Sequence, residues 1–272
     1  MVVQHNLTAA NSNRMLKITT DSQAKSTEKL SSGYRVNRAA DDAAGLAISE
    51  KMRRQIKGLT QASSNAQDGI SCVQTAEGAL AEVHDMLQRM NTLAIQASND
   101  TMTTADRSYL NQEVQALKSE INRVASTTTF NEQNLLDGSF QNRNLQVGAE
   151  AGQFISITIA GMSANSIGIG SVSVSGSTNA NAQTAIADIK TALASVSSQR
   201  ADLGAIQNRL EHTIKNLDNV VENTTAAESQ IRDTDMAKEM VAFSNNNILA
   251  QAGTSMLAQA NQANQNVLSL LG

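Results

Sequence analysis

Between Asp42 and Asn99, apolar or small residues recur at alternating steps of three and four. They are Gly45, Ile48, Met52, Leu59, Ala62, Ala66, Gly69, Val73, Ala76, Leu80, Val83, Leu87, Met90, Ala94 and Ala97, and Gln55 breaks the register. This heptad seam runs far beyond the roughly three to four heptads that already argue for coiled-coil packing. Asp41 and Asp42 stand where a helix N-terminus favours negative charge, and Asn99 suits a C-terminal stop. One helix of about 55 residues is about 80 Å long at ~1.5 Å per residue. A compact globule of 272 residues has a radius of gyration of only about 18 Å. The seam therefore predicts an elongated rod.

Two more helices follow the same logic. Thr103 to Asp106 reads as a capping box, and the seam behind it is Leu110, Val114, Leu117, Ile121 and Val124. A third seam comprises Ile186, Ile189, Leu193, Val196, Leu203, Leu210, Ile214, Leu217 and Val221, interrupted by Arg200 and Gln207. Helices are expected at about 44–98, 104–128 and 181–223. Three such stripes imply a bundle of long antiparallel helices that bury them against one another. The composition agrees. Proline, which removes a helical hydrogen bond, is absent. Trp is absent too, with only four Phe and two Tyr, so burial must come from aliphatic seams.

Between the second and third helices the period changes to two. Asn142–Val147, Phe154–Ala160 and Ser171–Ser175 alternate polar and apolar residues between glycines. Short antiparallel strands or hairpins are expected within about 139–176. Too few large residues lie there for independent folding, so the region should pack on the bundle. Ser175–Thr184 reads as a Ser/Asn-rich loop.

The two ends are different again. Residues 1–32 and 228–272 look helical, but their apolar positions spread over more than one face. Helices apolar around much of their circumference are buried on several sides. Leu7, Met15, Ile18, Met240, Phe243, Ile248, Met256, Leu257, Leu268 and Leu271 are accordingly candidate contacts with other copies of the chain. The whole reads as mainly α, with coiled-coil terminal helices, a three-helix bundle and a small β-hairpin region. The expected division is 1–43, 44–225 and 226–272, the outer two forming one core domain.

Little chemistry is visible. His5, His84 and His212 lack metal-ligand spacing, and the single cysteine, Cys72, has no histidine near it. Gly168-Ile169-Gly170 lacks the third glycine of a dinucleotide fingerprint. Asn-x-Thr at Asn6, Asn99 and Asn223 is expected by chance in an Asn/Thr-rich chain. No cofactor, metal or enzymatic activity is expected. The net charge of −4 argues against nucleic acid as a partner. No secretory signal or membrane-spanning stretch is expected from the pattern.

Two runs carry a resemblance. Lys29-Leu30-Ser31-Ser32-Gly33-Tyr34-Arg35-Val36-Asn37-Arg38-Ala39-Ala40-Asp41-Asp42-Ala43-Ala44-Gly45-Leu46-Ala47-Ile48 resembles the start of bacterial flagellins. Ile231-Arg232-Asp233-Thr234-Asp235-Met236-Ala237-Lys238-Glu239-Met240, with Ile248–Gly253 and Val267–Leu271, resembles their end. The chain looks like a short form without outer variable domains. The resemblance implies a subunit that polymerises into the flagellar filament for motility. It implies export in an unfolded state through a type III channel, which fits the missing signal peptide, and an extracellular location. The implied partners are other copies in a helical homopolymer, the export apparatus and a flagellin chaperone, and the filament cap and hook-junction proteins. It also implies recognition by Toll-like receptor 5, through residues matching Arg89, Leu93 and Glu113. Arg89 and Leu93 lie four apart and off the seam, which predicts one shared exposed face. Gly33 would be a joint between filament core and shell. The competing class is a non-polymerising secreted coiled-coil adhesin or chaperone.

Overall fold

The computed structural model describes residues 6–269, with side chains to residue 262. It is mainly α: α1 Leu7–Ser32, α2 Ala43–Ala97, α3 Thr104–Thr127, α4 Ala180–Arg232 and α5 Met236–Ser269. Four short strands separate α3 from α4: β1 Thr129–Phe130, β2 Gln133–Asn134, β3 Arg143–Gln146 and β4 Phe154–Ile157. They form two antiparallel hairpins, β1–β2 and β3–β4. By contacts the chain divides into two compact units, 1–56 with 222–272, and 57–221. Both divisions fall inside continuous helices, α2 and α4.

The caps are local chemistry. The Asp42 carboxylate accepts the Gly45 N–H at 2.8 Å and so starts α2. At α3, Thr103 accepts the Asp106 N–H while the Asp106 carboxylate accepts the Thr103 N–H, a reciprocal capping box. At α1, Asn6 accepts from Ala9 N–H, and Gly33 closes the far end at φ 75°, its N–H reaching the Lys29 carbonyl.

In the unit 57–221, α2 and α4 run antiparallel. Ser63 donates to Asp218, and Arg200 reaches Glu77 at 3.4 Å. The core holds Val73, Leu80, Leu87 and Met90 of α2, Val114 and Ile121 of α3, and Ile189, Val196 and Leu203 of α4. Leu135, Leu136, Ile159 and Ile169 from the segment between α3 and α4 are fully buried in the same core. The aliphatic residues of that segment share the helices' interior.

Four expectations need correction. The helix expected to end at Asn223 continues to Arg232. Its inward register goes on through the small and polar Thr224, Ala227 and Glu228, which a count of large apolar residues passes over. Ser171–Ser175 is not a strand. Val172 and Val174 are buried as alternation requires, but α3 side chains take the backbone bonds: Gln115 donates to the Val172 carbonyl, and Asn111 accepts the Val174 N–H. The hairpin β1–β2 lies outside the expected range, at 129–134. It turns on Asn131 and Glu132, both at positive φ. Near the start of α2, Gly45 and Ser49 are buried, whereas Ile48 is exposed. The neighbours there are polar: Ser49 donates to Glu228 and accepts from Arg232.

Candidate functional site

In the unit formed by 1–56 and 222–272, α1 and α5 pack antiparallel. Asn6 Nδ2 donates to the Ala260 carbonyl at 3.2 Å, and Lys29 approaches Glu239 at 3.9 Å. The half-buried positions facing along this pair are largely small or polar: Ala9, Ser12, Thr19 and Gln23 on α1, Ala242, Asn246, Asn247 and Ala250 on α5. Leu16, Phe243 and Leu257 are the larger members. At Gly253 the helices come so close that a Cβ would stand 3.1 Å from Leu16 Cδ1.

The outward surface is the apolar one. Leu7 is 74% exposed and Ile248 64%, and Met15, Ile18, Met240 and Met256 are also exposed. Val241, Leu249 and Met236 extend the surface. A coiled coil ordinarily hides its large apolar residues and shows polar ones. Here the arrangement is inverted over most of the pair. Of the ten terminal candidates, six are exposed, while Phe243 and Leu257 are half-buried against the partner helix. Leu268 and Leu271 lie outside the residues with described side chains. A groove of about 300 Å³ runs along this surface, lined by Asn11, Ser12, Met15, Leu16, Thr19, Leu249, Ala252, Gly253 and Met256.

Next to the pair, the chain turns at Gly33. Adding a Cβ there meets nothing within 4 Å, so the left-handed φ alone demands glycine. The Gly33 carbonyl accepts the Thr234 N–H at 2.9 Å, and Arg35 N–H donates to the Arg232 carbonyl at 2.6 Å. The Arg232 guanidinium lies 4.5 Å from the Tyr34 ring centroid and 3.1 Å from Glu50. The turn after α1 is thereby tied to the α4–α5 junction.

The second candidate surface lies on α2 and α3. Arg89 Nε and Nη2 both contact Glu113 Oε1 at 2.8 Å, and both side chains are exposed. Leu93 is not part of this surface. It is 1% exposed, inside the core. Near its C-terminus α2 buries Met90, Leu93, Ala94 and Ala97 together, a stripe wider than one seam, because it serves two neighbours at once.

Sequence reasoning missed Arg107. Its side chain is buried and donates to the carbonyls of Ala97, Asn99 and Ser177, joining the end of α2 to the loop before α4. Only a charge break at a helical position signalled it. Cys72 is buried, and burial pushes its thiol pKa up, which suits packing rather than nucleophilic attack. Among the described residues no group of three His, Cys, Asp or Glu side chains could hold a metal ion. No described helix is long and apolar enough to cross a membrane.

Residues 3–141 match the bacterial flagellin N-terminal helical region, and residues 186–271 the bacterial flagellin C-terminal helical region. The flagellin of Halalkalibacterium halodurans is 55% identical over the full length of both chains. That of Bacillus subtilis is 50% identical, also with full coverage of both. The crystal structure of Bacillus cereus flagellin, 30% identical, superposes with a TM-score of 0.50 over 57% of this chain and 88% of that one. A putative flagellar hook-associated protein from Vibrio parahaemolyticus shares the fold at 16% identity, with a TM-score of 0.59 over 71% of this chain and all of the other. With both flagellin helical regions matched and full-length relatives at half identity or more, the chain belongs to the bacterial flagellin family, non-enzymatic structural proteins that are exported and assemble into the extracellular flagellar filament.

Proposed function

We propose that this chain polymerises through the outer faces of α1 and α5. The observation that carries the reading is the inverted coiled coil: small and polar residues inside the pair, Leu7, Met15, Ile18, Met240, Ile248 and Met256 outside. Complete burial of one such side chain contributes about 1.5–3 kcal/mol. Covering the remaining exposed half of six of them contributes several kcal/mol per subunit, before the entropy of association is subtracted. Gly33 acts as the joint at which the α1 segment leaves this pair. Before assembly the same apolar faces are suited to an export chaperone, and at the filament ends to cap and hook-junction proteins.

Seeded assembly followed by sedimentation and electron microscopy tests this. Full-length chain should elongate seeds. Deletion of 242–272, the double change Ile248→Ser with Met240→Ser, and Gly33→Pro, which cannot adopt φ 75°, should each abolish or distort filaments. Normal filaments from the deletion would overturn the reading, and a small soluble oligomer from the unaltered chain would favour an adhesin or chaperone instead.

A second reading concerns the exposed Arg89–Glu113 pair. A charged pair presented at the surface of a helix suits a protein partner that reads geometry at close range. We infer that it forms the polar part of a site for Toll-like receptor 5, with Leu93 holding the helix surface from beneath. Binding of monomer to the receptor ectodomain should fall about tenfold or more on Arg89→Ala, and undiminished binding would retire the site.

A further inference from the structure

The chain contains ten methionines. Among the described residues the exposed ones are Met15, Met236, Met240 and Met256, at 52%, 48%, 50% and 60%. All four stand on α1 or α5. Met90 and Met162 are buried in the core of the other unit, and Met52, Met86 and Met102 are half-buried. The one cysteine is buried as a thiol. Among the described residues, the thioether sulfur open to an oxidant therefore lies on the α1–α5 pair. Met15 and Met256 come from different helices and line the same groove, beside Leu16, Leu249 and Gly253.

We propose that Met15 and Met256 form an oxidation site through which peroxide arrests self-assembly of the free chain. This rests on the assembly reading of α1 and α5. In the chemical step a lone pair on the thioether sulfur takes one oxygen of hydrogen peroxide. The S–O bond forms, the O–O bond breaks, and the second oxygen leaves as water with both protons. Sulfur loses two electrons and the peroxide gains them. The product is a sulfoxide, a polar acceptor on what was an apolar wall. The Thr19 hydroxyl in that wall already donates to the Met15 carbonyl. Covering an unpaired acceptor with a neighbour's apolar side chains is unfavourable, so the contact no longer forms. In an assembled filament the two side chains are covered and react slowly, which restricts the effect to chains not yet incorporated.

The experiment compares the unaltered chain with Met15→Leu/Met256→Leu, in which leucine keeps the apolar character and approximate volume. Monomers are treated with hydrogen peroxide, and oxygen uptake of about 16 Da at each position is followed by peptide mass spectrometry. Seeded elongation is then measured. Because both positions lie on the assembly face, each protein's own untreated elongation rate is its reference. After treatment the unaltered chain should elongate about tenfold or more slowly, and the double variant within about twofold of its untreated rate. Repair by sulfoxide reductases acting on both epimers should restore the unaltered chain. The inference fails if the unaltered chain, shown to carry oxygen at both positions, elongates normally, or if the double variant is arrested equally. Should the untreated double variant not assemble, the reductase repair decides alone, with recovery supporting the site and no recovery overturning it. If the untreated, unaltered chain does not elongate seeds, the assembly reading itself has failed.

Discussion

Leu93 and Arg89 are four residues apart on α2, yet they face different surroundings. Leu93 is 1% exposed in the core, whereas Arg89 pairs with Glu113 at the surface. A single heptad seam marks Met90 and Ala94 as inward and puts Leu93, off that seam, on an exposed face with Arg89, where the structure buries it. The side chain is buried because α2 is flanked on more than one side, and no count along one helix supplies that neighbour. The two residues should respond differently to alanine. Leu93→Ala should destabilise the chain by about 2–4 kcal/mol, through lost burial and the cavity left behind. Arg89→Ala should leave the urea midpoint nearly unchanged. Equal midpoints for both variants would show that Leu93 is not a core residue. Gly33 belongs to the same scale: the sequence marks it as a joint, while its bond to Thr234 on the α4–α5 junction is visible only in three dimensions.

At the scale of elements, helix ends follow from short-range chemistry. The box at Thr103 and Asp106 is formed as its spacing requires. The Thr103 hydroxyl first, and the Thr103 N–H second, hold the Asp106 carboxyl below its ordinary range. A carboxylate depressed in the folded chain stabilises it above the unfolded value of about 3.9, and this is lost as the pH falls through the lower folded value. The carboxylates of Asp41, Glu120 and Asp137 are lowered too, so the whole chain should weaken in acid. The difference between the unaltered chain and Asp106→Asn isolates one cap. From about pH 5 to about pH 2 the urea midpoint of the variant should fall less. Identical acid limbs would mean that the cap carboxylate adds nothing. Elements without such local signals were less legible. The end of α4 at Arg232 rests on a register of small and polar residues, and the segment at 171–175 is held by side chains of α3.

At the scale of the whole molecule, the two units differ in how complete they are. The unit 57–221 buries its large aliphatic residues internally, with Leu80, Leu87, Ile121, Ile159 and Ile189 fully covered. The unit built from 1–56 and 222–272 leaves Leu7, Ile18, Ile248 and Met256 in solvent. A fragment of residues 57–221 should therefore retain helix and unfold cooperatively, as a domain with its own core does. It should not elongate seeds. Calorimetry with far-ultraviolet circular dichroism checks the first statement and sedimentation the second. Non-cooperative melting of the fragment would show that its core needs the terminal segments.

Sequence alone determined the long helical seams, the capping box at Thr103, the family, and the surplus of apolar residues at the two ends. Each of these is written in local spacing: a period of three and four, an oxygen three residues before the amide it accepts, an apolar residue on a face no single partner can cover. Only the tertiary structure decided which neighbouring residue of α2 turns inward, at Ile48 and Ser49 and again at Leu93. It also decided where the buried Arg107 finds its three carbonyls, and that Val172 and Val174 pair with α3 side chains rather than with a strand. The physical reason is common to all of these. Burial and hydrogen-bond satisfaction are settled by groups far away in the chain, and periodicity along one helix carries no record of them.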